Sequence, residues 1–598
     1  MSATAATIEM EESDAFMGVE NSVTGKRWVR PSIDLRAAYA LAQQIDVPQL
    51  TAELLIARGQ TADTAPSYLS PKLRDLMPDP MRLLGMKEAV ERFADAVQKG
   101  EKIAVFGDYD VDGGTSSALL TRFARALGVK LRIYVPDRMT EGYGPNAAAM
   151  QTLKDEGMDL VIAVDCGTTA HAPLSHAKSI GLDVVVLDHH TAEPELPPAI
   201  AVVNPNRLDE TLQKEVGICA AVGIVFLFAV AACRILRARG FFTDTRPEPD
   251  LMSWLDLVAL GTVADVVPLT GLNRAYVAQG LKVMQKRKNT GLVALADSAR
   301  LTKAPDAFAL GFVYGPRVNA GGRVGESTLG ARILSTDDAS EAREIAQILE
   351  SHNAARKELE TIIQQEANDQ LDGHSGHLAL AVGEGWHPGI IGIVAARLKE
   401  RFHRPSFVIA VDDKGIGKGS GRSIRGVDLG ALTIAARQAG LLIAGGGHAM
   451  AAGLTVAKDN IPALRAFFEE RLDAIMTAEI LQPKVMVDGL VGLGAATTEL
   501  LDKLECFAPF GSGNAEPRFA LSNVRIVTAD IVGTDHVRCI LMDGENRRLK
   551  AICFRCMTTE LGPALLRKPQ NVKLAGRLSR DDWNGQNGVQ FQIEDMAV

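Results

Sequence analysis

From Gly100 onward the chain falls into a repeating rhythm. A short apolar run is followed by a stretch with helix-spaced apolar positions, and each stretch closes on glycine. Ile103–Phe106 precedes Thr115–Leu127 and Gly128; Leu131–Val135 precedes Pro145–Glu156 and Gly157; Leu160–Val164 precedes Ala170–Ile180 and Gly181; Val184–Leu187 follows. Runs of four or five apolar residues are too short for helices and suit strands buried on both faces. Glycine just past a helix takes the left-handed conformation that ends it. Parallel strands need a crossover, and a helix is the usual one, so the alternation predicts a parallel sheet covered by helices.

Acidic residues fall where such a sheet works. Asp108, Asp110 and Asp112 lie just past the first strand, Asp165 ends the third, and Asp188-His189-His190 ends the fourth. Asp265, in Gly261-Thr-Val-Ala-Asp265, follows the helix-like Trp254–Leu260. Open α/β sheets bind ligands beyond the carboxyl ends of their strands. Carboxylates packed this closely repel one another unless a cation sits between them, and hard divalent ions take such oxygen ligands. An acidic solvated turn would explain the first three aspartates alone, but not the carboxylates and imidazoles of two further strand ends. Together they suit two divalent ions, Mn²⁺ or Mg²⁺, roughly 3.5–4 Å apart. Arg138 follows the second strand and faces the same rim, where it is a candidate phosphate ligand.

A chain of 598 residues predicts several domains, and 47% hydrophobic with 23% charged residues is a globular composition. The net charge of −9 gives no general sign of nucleic-acid binding. Part of it sits in the first 20 residues, which hold Glu9, Glu11, Glu12, Asp14 and Glu20 without Lys or Arg and read as a disordered tail. A local basic groove remains open. Seven scattered cysteines fit a reducing cytoplasm. The N-terminus has no basic region followed by an apolar core, so no signal peptide is expected. Val216–Cys233 is apolar for the length of a bilayer span. We read it as a buried core helix, because a span there would part the earlier aspartates from Asp265.

Residues 30–100 read as mostly helical. Gly315-Pro-Arg317-Val-Asn319-Ala-Gly-Gly-Arg323 reads as a glycine-rich turn whose arginines and amide suit phosphate oxygens. Helical spacing from Ala339 to Leu371 predicts a long connector helix. A second α/β unit follows, with strands Leu378–Val382 and Phe407–Val411. Its Gly417–Ser423 and Gly445–Gly453 stretches read as anion-binding loops. From Lys484 the pattern turns to short strands of a small barrel. Arg547, Arg548, Lys550, Arg577, Arg580 and Trp583 are its candidate strand contacts. Cys553 and Cys556 have zinc-like spacing without a second pair and read as strand cysteines.

The Asp188-His-His triplet marks the DHH phosphoesterase superfamily. Gly107-Asp-Tyr-Asp-Val-Asp-Gly113, Val-Asp165-Cys-Gly, Asp188-His-His and Gly-Thr-Val-Ala-Asp265 resemble its RecJ branch, in the same order. The Arg317/Asn319/Arg323 segment resembles the family motif after the last aspartate, which more often has Ala where this chain has Gly321. The second α/β unit resembles a DHHA1 domain, and Ala508–Pro517 resembles the lead into the RecJ OB domain.

The resemblance implies metal ligands at Asp110, Asp112, Asp165, His189 and Asp265, with Asp108 added, and His190 on the scissile phosphate. It implies substrate contacts at Ser420, Arg422 and His448, and His387 joins them. The domains expected are a disordered or variable segment 1–47, a DHH domain 48–336, a connector helix 337–376, a DHHA1 domain 377–480 and an OB domain 481–598. The activity implied is a 5′→3′ exonuclease on single-stranded DNA. It would release 5′-mononucleotides through water activated between two metals, in DNA repair and recombination. Single-strand-binding protein and a helicase are the implied partners, the enzyme being a cytoplasmic monomer. Two rivals stand beside this reading. A haloacid-dehalogenase-like phosphatase fits Asp110-Val-Asp112, but that family's motif lacks the extra glycine and has no Asp-His-His partner. A non-catalytic DHH protein would have lost metal ligands that this chain keeps.

Overall fold

The computed structural model describes residues 15–138, 140–581 and 588–598. The chain divides into two compact units. The first holds residues 33–353 and 498–517; the second holds the described part of 11–32, 354–497 and 518–598.

The first unit is built on five parallel strands in the order Leu131–Tyr134, Ile103–Gly107, Leu160–Val164, Asp183–Leu187, Ala201–Val203. The two faces of the sheet feed two cores. Ile103, Val105, Ile162 and Val185 join one, while Ala104, Phe106, Val161 and Val184 join the other. That strict alternation in continuously apolar strands is what helices on both faces demand. Most of the apolar run expected to be a core helix lies in helix Ala221–Ala238, whose buried residues run from Ala221 to Leu236. Phe228 packs edge-on against Phe93 with ring centroids 5.4 Å apart.

Three glycine-rich stretches differ from expectation. The helix after the first strand starts at Val111, not Thr115, because Asp110 caps it: its Oδ1 accepts from the Asp112 and Gly113 amides at 2.9 and 3.1 Å. Gly315–Val324 is a helix, not a turn, and follows directly from a π-helical turn at Leu310–Tyr314. Its glycine serves close approach, since a Cβ on Gly322 would lie 2.4 Å from Tyr109 O. In the second unit, Ile416–Arg422, Ala444–His448 and Ala451–Ala457 are strands, not loops. Their sheet runs Ala444–His448, Ala451–Ala457, Ile416–Arg422, Ser406–Val411, Ala379–Glu384. Gly417, Gly419 and Gly421 alternate onto its core face, where a Cβ would meet Ile409, Leu454 and Phe407 at 2.8, 2.6 and 2.5 Å.

The chain ends also differ. Within the segment expected to be disordered or variable, residues 1–14 lie outside the described residues. Arg27–Val29 is a strand paired parallel with Lys484–Met486. Trp28 is fully buried and donates from Nε1 to Asp595 Oδ2 at 2.8 Å. This part of the segment lies past the acidic run that ends at Glu20, and a buried tryptophan with a bonded partner orders it. Residues 498–517, expected in the C-terminal domain, belong to the first unit. There Arg274, 1% exposed, donates to the carbonyls of Tyr68, Cys506, Ala508 and Pro509. Asn514 accepts from the Tyr68 hydroxyl at 2.6 Å, and the Leu269 amide donates to Ser512 O at 2.7 Å.

Helix Ala339–Gln370 has 32 residues. The C-terminal strands form a closed barrel of OB type: Phe519–Val532 pairs with His536–Met542, which continues through Arg548–Cys553 and Gly588–Ala597 to Val572–Asp581, and that strand pairs back on the first. Cys553 ends a strand, but Cys556 lies in the turn after it and bonds Cys553 O at 3.4 Å; both are buried free thiols.

Candidate metal centre and phosphate contacts

The carboxyl ends of the parallel strands carry the acidic cluster, and His189 sits at its middle. His189 Nε2 lies 3.2 Å from Asp165 Oδ1 and 3.8 Å from both Asp112 Oδ2 and Asp265 Oδ2. Asp108, Asp110 and Asp165 form a second group with ligand atoms within 4.8 Å of one another; Asp165, His189 and His190 form a third. All seven residues expected at the rim are therefore brought together.

Local structure explains each position. Asp165 takes a left-handed φ of 60°, unusual for a residue with a side chain, at the point where its strand ends. Asp112 stands in the first turn of the Val111–Ala126 helix and accepts from the Ala221 and Val222 amides at 2.6 and 2.9 Å. The N-terminus of helix Ala221–Ala238 thus holds this carboxylate. Helix Leu255–Ala264 reaches the cluster because Gly261 has no side chain: a Cβ there would lie 2.3 Å from Thr115 Oγ1 and 3.1 Å from Asp112 Oδ1. Asp265 follows immediately, at the helix end whose dipole disfavours a carboxylate.

Electrostatics favours a cation. Burial, reinforced by neighbouring carboxylates, pushes Asp108 and Asp165 well above the usual carboxylate range, Asp112 up to about 7 and Asp265 up to about 9. Asp108 Oδ1 is buried without a hydrogen-bond partner. Burial, with the His190 charge, pulls His189 down to about 4, so its ring is neutral and can offer a lone pair, and the Cys219 backbone fixes it by a hydrogen bond. Hard oxygens, one imidazole nitrogen and an orphaned buried oxygen are a donor set that fits Mn²⁺ or Mg²⁺.

His190 differs from its neighbour. Its Nδ1 is 2.8 Å from Asp188 Oδ1. Burial lowers its pKa, but the hydrogen bond and charge of Asp188 outweigh that and raise it to about 9. Asp188 is itself fixed by the Thr168 hydroxyl at 2.6 Å, and Asn204 donates to Thr168 Oγ1 at 2.8 Å. Asn206 donates to His189 O at 2.5 Å. These supports, and Tyr143, escape the sequence reading. Tyr143 lies in the stretch after Arg138; its hydroxyl donates to Asp165 O at 3.1 Å and lies 3.3 Å from His190 Nε2. A tyrosine flanked by two glycines is the available signal.

The remaining first-unit candidates stand near this rim. The Arg138 guanidinium lies 5.2 Å from the Tyr109 ring centroid. Arg317 and Arg323 sit on the Gly315–Val324 helix with Asn319 between them. Arg317 forms a bidentate pair with Glu350, Nε to Oε2 at 2.5 Å and Nη2 to Oε1 at 3.2 Å, and donates to Val313 O.

In the second unit, Lys418, Ser420 and Arg422 share the sheet face opposite the packed glycines. Arg422 Nη1 donates to Ser420 Oγ at 3.2 Å. A Cβ on Gly392, in the first turn of helix Ile391–Phe402, would lie 3.0 Å from Ser420 Oγ and 3.2 Å from Arg422 Nη2. A helix N-terminus, a hydroxyl and a guanidinium thus converge. His448 stands in the same cross-strand row as Arg422, with Ala451 between. His387 precedes the helix and accepts from the Gly389 amide at 3.0 Å. On the barrel, Arg547 pairs with Asp543 and Glu545, Lys550 with Asp581 and Arg577 with Glu594. Arg548 is exposed, Arg580 is half-buried, and Trp583 lies outside the described residues.

Comparison with known proteins gives a consistent picture. Residues 102–262 match the model of the DHH family, N-terminal domain; 375–474 match the DHHA1 domain; 487–595 match the RecJ OB domain. The chain is 34% identical to the single-stranded-DNA-specific exonuclease RecJ of Bacillus subtilis (strain 168), over 96% of this chain and 71% of that protein. It is 35% identical to the Escherichia coli (strain K12) protein of the same name, over 92% and 96%. The crystal structure of RecJ in complex with Mn²⁺ from Thermus thermophilus superposes with a TM-score of 0.79 at 30% identity, covering 94% of this chain and 78% of that one. Motif order, sheet, barrel and similarity along most of the chain agree: the chain belongs to the RecJ family.

Proposed function

We propose that this protein is a metal-dependent exonuclease that hydrolyses single-stranded DNA from the 5′ end and releases 5′-mononucleotides. The observation that carries the reading is the convergence of Asp112, Asp165 and Asp265 on His189 in a chain of this family. Asp108, Asp110, Asp112, Asp165, His189 and Asp265 would hold two ions, Mn²⁺ or Mg²⁺, as named for the similar Thermus thermophilus structures. Bound there, the ions supply charge neutralisation at the phosphoryl oxygens and a water acidic enough to attack at neutral pH.

The chain's own residues do the rest. His190, held charged by Asp188, donates a hydrogen bond to a phosphoryl oxygen. Arg138, Arg317, Asn319 and Arg323 orient the backbone phosphates. Ser420 and Arg422, beside the first turn of helix Ile391–Phe402, read a terminal 5′-phosphate, and His387 and His448 complete that surface. The barrel grips the strand farther along. Family resemblance supports a role in DNA repair and recombination, as a monomer acting with single-strand-binding protein and a helicase.

Purified protein given 5′- and 3′-labelled single and double strands, with Mn²⁺ and with EDTA, tests the reading. Mononucleotide release from the 5′ label of the single strand, dependent on metal, is expected. Equal digestion of blunt duplex, or release in EDTA, would overturn it.

A further inference from the structure

Helix Leu255–Ala264 ends at the metal-ring residue Asp265 and carries another buried carboxylate, Asp256, at its start. Asp256 is 3% exposed. Its Oδ1 accepts from the Leu257 amide at 2.8 Å, and among the described residues no side chain bonds it. Arg122 acts on it only through its charge, because that guanidinium is committed to Leu334 O, Thr336 O and Asp337. A buried carboxylate that no side chain hydrogen-bonds is costly unless a ligand brings donors to it.

Asp256 lines a cavity of about 370 Å³. That volume lies within the range of small-molecule sites. Buried Met284, Leu292 and Tyr314 form apolar and aromatic wall beside the carboxylate, while Arg287 and Lys303 stand exposed at the rim. Arg287 gives one N–H to Asp297 Oδ1 at 2.6 Å, and a guanidinium has five. One acid within, apolar walls and cations outside define an amphoteric ligand. It should have a flat ring with adjacent N–H donors at one end and an anion at the other.

Guanine meets that description. Its N1–H and exocyclic N2–H point the same way and can both reach one carboxylate. Adenine sets an acceptor, N1, beside its amino group and so opposes an ionised carboxylate. We propose that this cavity binds a guanine mononucleotide, with the base on Asp256 and the phosphate between Arg287 and Lys303. The base can come from a free nucleotide or from a strand end. The site does not rest on the nuclease reading, although two of its walls lead straight to that centre. Asp256 starts the helix that ends at Asp265, and Tyr314 directly precedes the helix of Arg317 and Asn319.

The test is calorimetric titration of the full-length protein in EDTA with GMP, dGMP, AMP and free arginine. EDTA removes the metals that would draw nucleotide phosphate to the catalytic centre. Saturable GMP binding, about ten- to a hundredfold tighter than AMP, is expected, since a hydrogen bond to a charged group carries that much. Asp256→Asn should lose the preference and Lys303→Glu should weaken binding, while Asp165→Ala changes neither. The exposed Lys303 serves where Asp256→Asn compromises folding. Competition by a 5′-guanosine trinucleotide as strong as by GMP would assign the site to a strand end, and weaker competition to the free nucleotide. The proposal falls if GMP does not bind, if AMP or free arginine binds equally well, if Asp256→Asn leaves binding intact, or if Asp165→Ala abolishes it.

Discussion

The two units each present a sheet with glycine-rich, chemistry-bearing segments, and they use glycine in opposite ways. In the first unit the functional groups stand past the strand ends, where Asp108, Asp165 and His189 leave the sheet. Glycines there, such as Gly113 and Gly261, let helices close onto the cluster. In the second unit Ser420 and Arg422 lie inside a strand, and the glycines that alternate with them, Gly419 and Gly421, exist because Leu454 and Phe407 fill the space beneath. A site at strand ends depends on what converges on it. A site on a sheet face depends on what the opposite face packs.

The largest effect should come from the converging site. Asp165→Ala removes an oxygen 3.2 Å from His189 Nε2 and should lower turnover by about a thousandfold or more at saturating Mn²⁺, with the fold intact. Isothermal metal titration beside single-turnover assays checks both. Near-normal turnover would remove the reason to set the two sheets apart.

Next is the boundary of the first unit. A protein truncated after Leu481 takes away the Cys506, Ala508 and Pro509 carbonyls that Arg274 binds. A guanidinium that loses three of its four carbonyl acceptors and keeps only Tyr68 O should cost about 3 kcal/mol or more. The metal unit, rather than only strand binding, should therefore suffer, as thermal unfolding of the truncated protein would reveal. An unchanged first transition would restore the boundary expected at 481.

These contrasts show which parts are legible. The parallel sheet and its acidic rim are readable because apolar runs of strand length and closing glycines leave few alternatives, and because carboxylates cannot cluster without a reason. The fifth strand, Ala201–Val203, is not: three residues make too short a pattern. Gly417–Arg422 misleads because glycine at every second position looks like a loop until Ile409, Leu454 and Phe407 are seen beneath it. The helix at Arg317 hides for the same reason, its Gly322 answering to Tyr109 O and not to a turn. Trp28 is hidden because its partner Asp595 lies 567 residues away, so nothing near it in the chain shows what buries it.

The sheet-face site predicts two moderate effects. Arg422→Ala should lose the preference for 5′-phosphorylated over 5′-hydroxyl ends by roughly 1.5–3 kcal/mol in effective binding. If the mutant keeps the full preference, end recognition moves to Arg317 or Arg323. Gly421→Val places a side chain where a Cβ already lies 2.5 Å from Phe407 Cε1 and 2.7 Å from Leu429 Cδ2. Overpacking of this kind costs about 1–3 kcal/mol, and chemical denaturation should show it without a change in Mn²⁺ affinity.

The smallest effect tests whether the first unit also uses a positioned arginine. Arg317 is 11% exposed at its side chain and holds Glu350 with two N–H groups and Val313 O with a third. Two of its five donors are then left for a phosphate. Glu350 both orients the guanidinium and offsets its charge, and these act in opposite directions on binding an anion. Orientation should win, because a bidentate contact needs the planar fork aimed, while the pair is partly solvated and its charge screened. Glu350→Ala should therefore weaken substrate binding by about 0.2–1 kcal/mol, as a raised KM at unchanged kcat. Glu350→Gln, which keeps an acceptor for the guanidinium, should restore most of it. Tighter binding in Glu350→Ala would mean that charge outweighs orientation at Arg317, and that only the arginine of the sheet face is held for geometry.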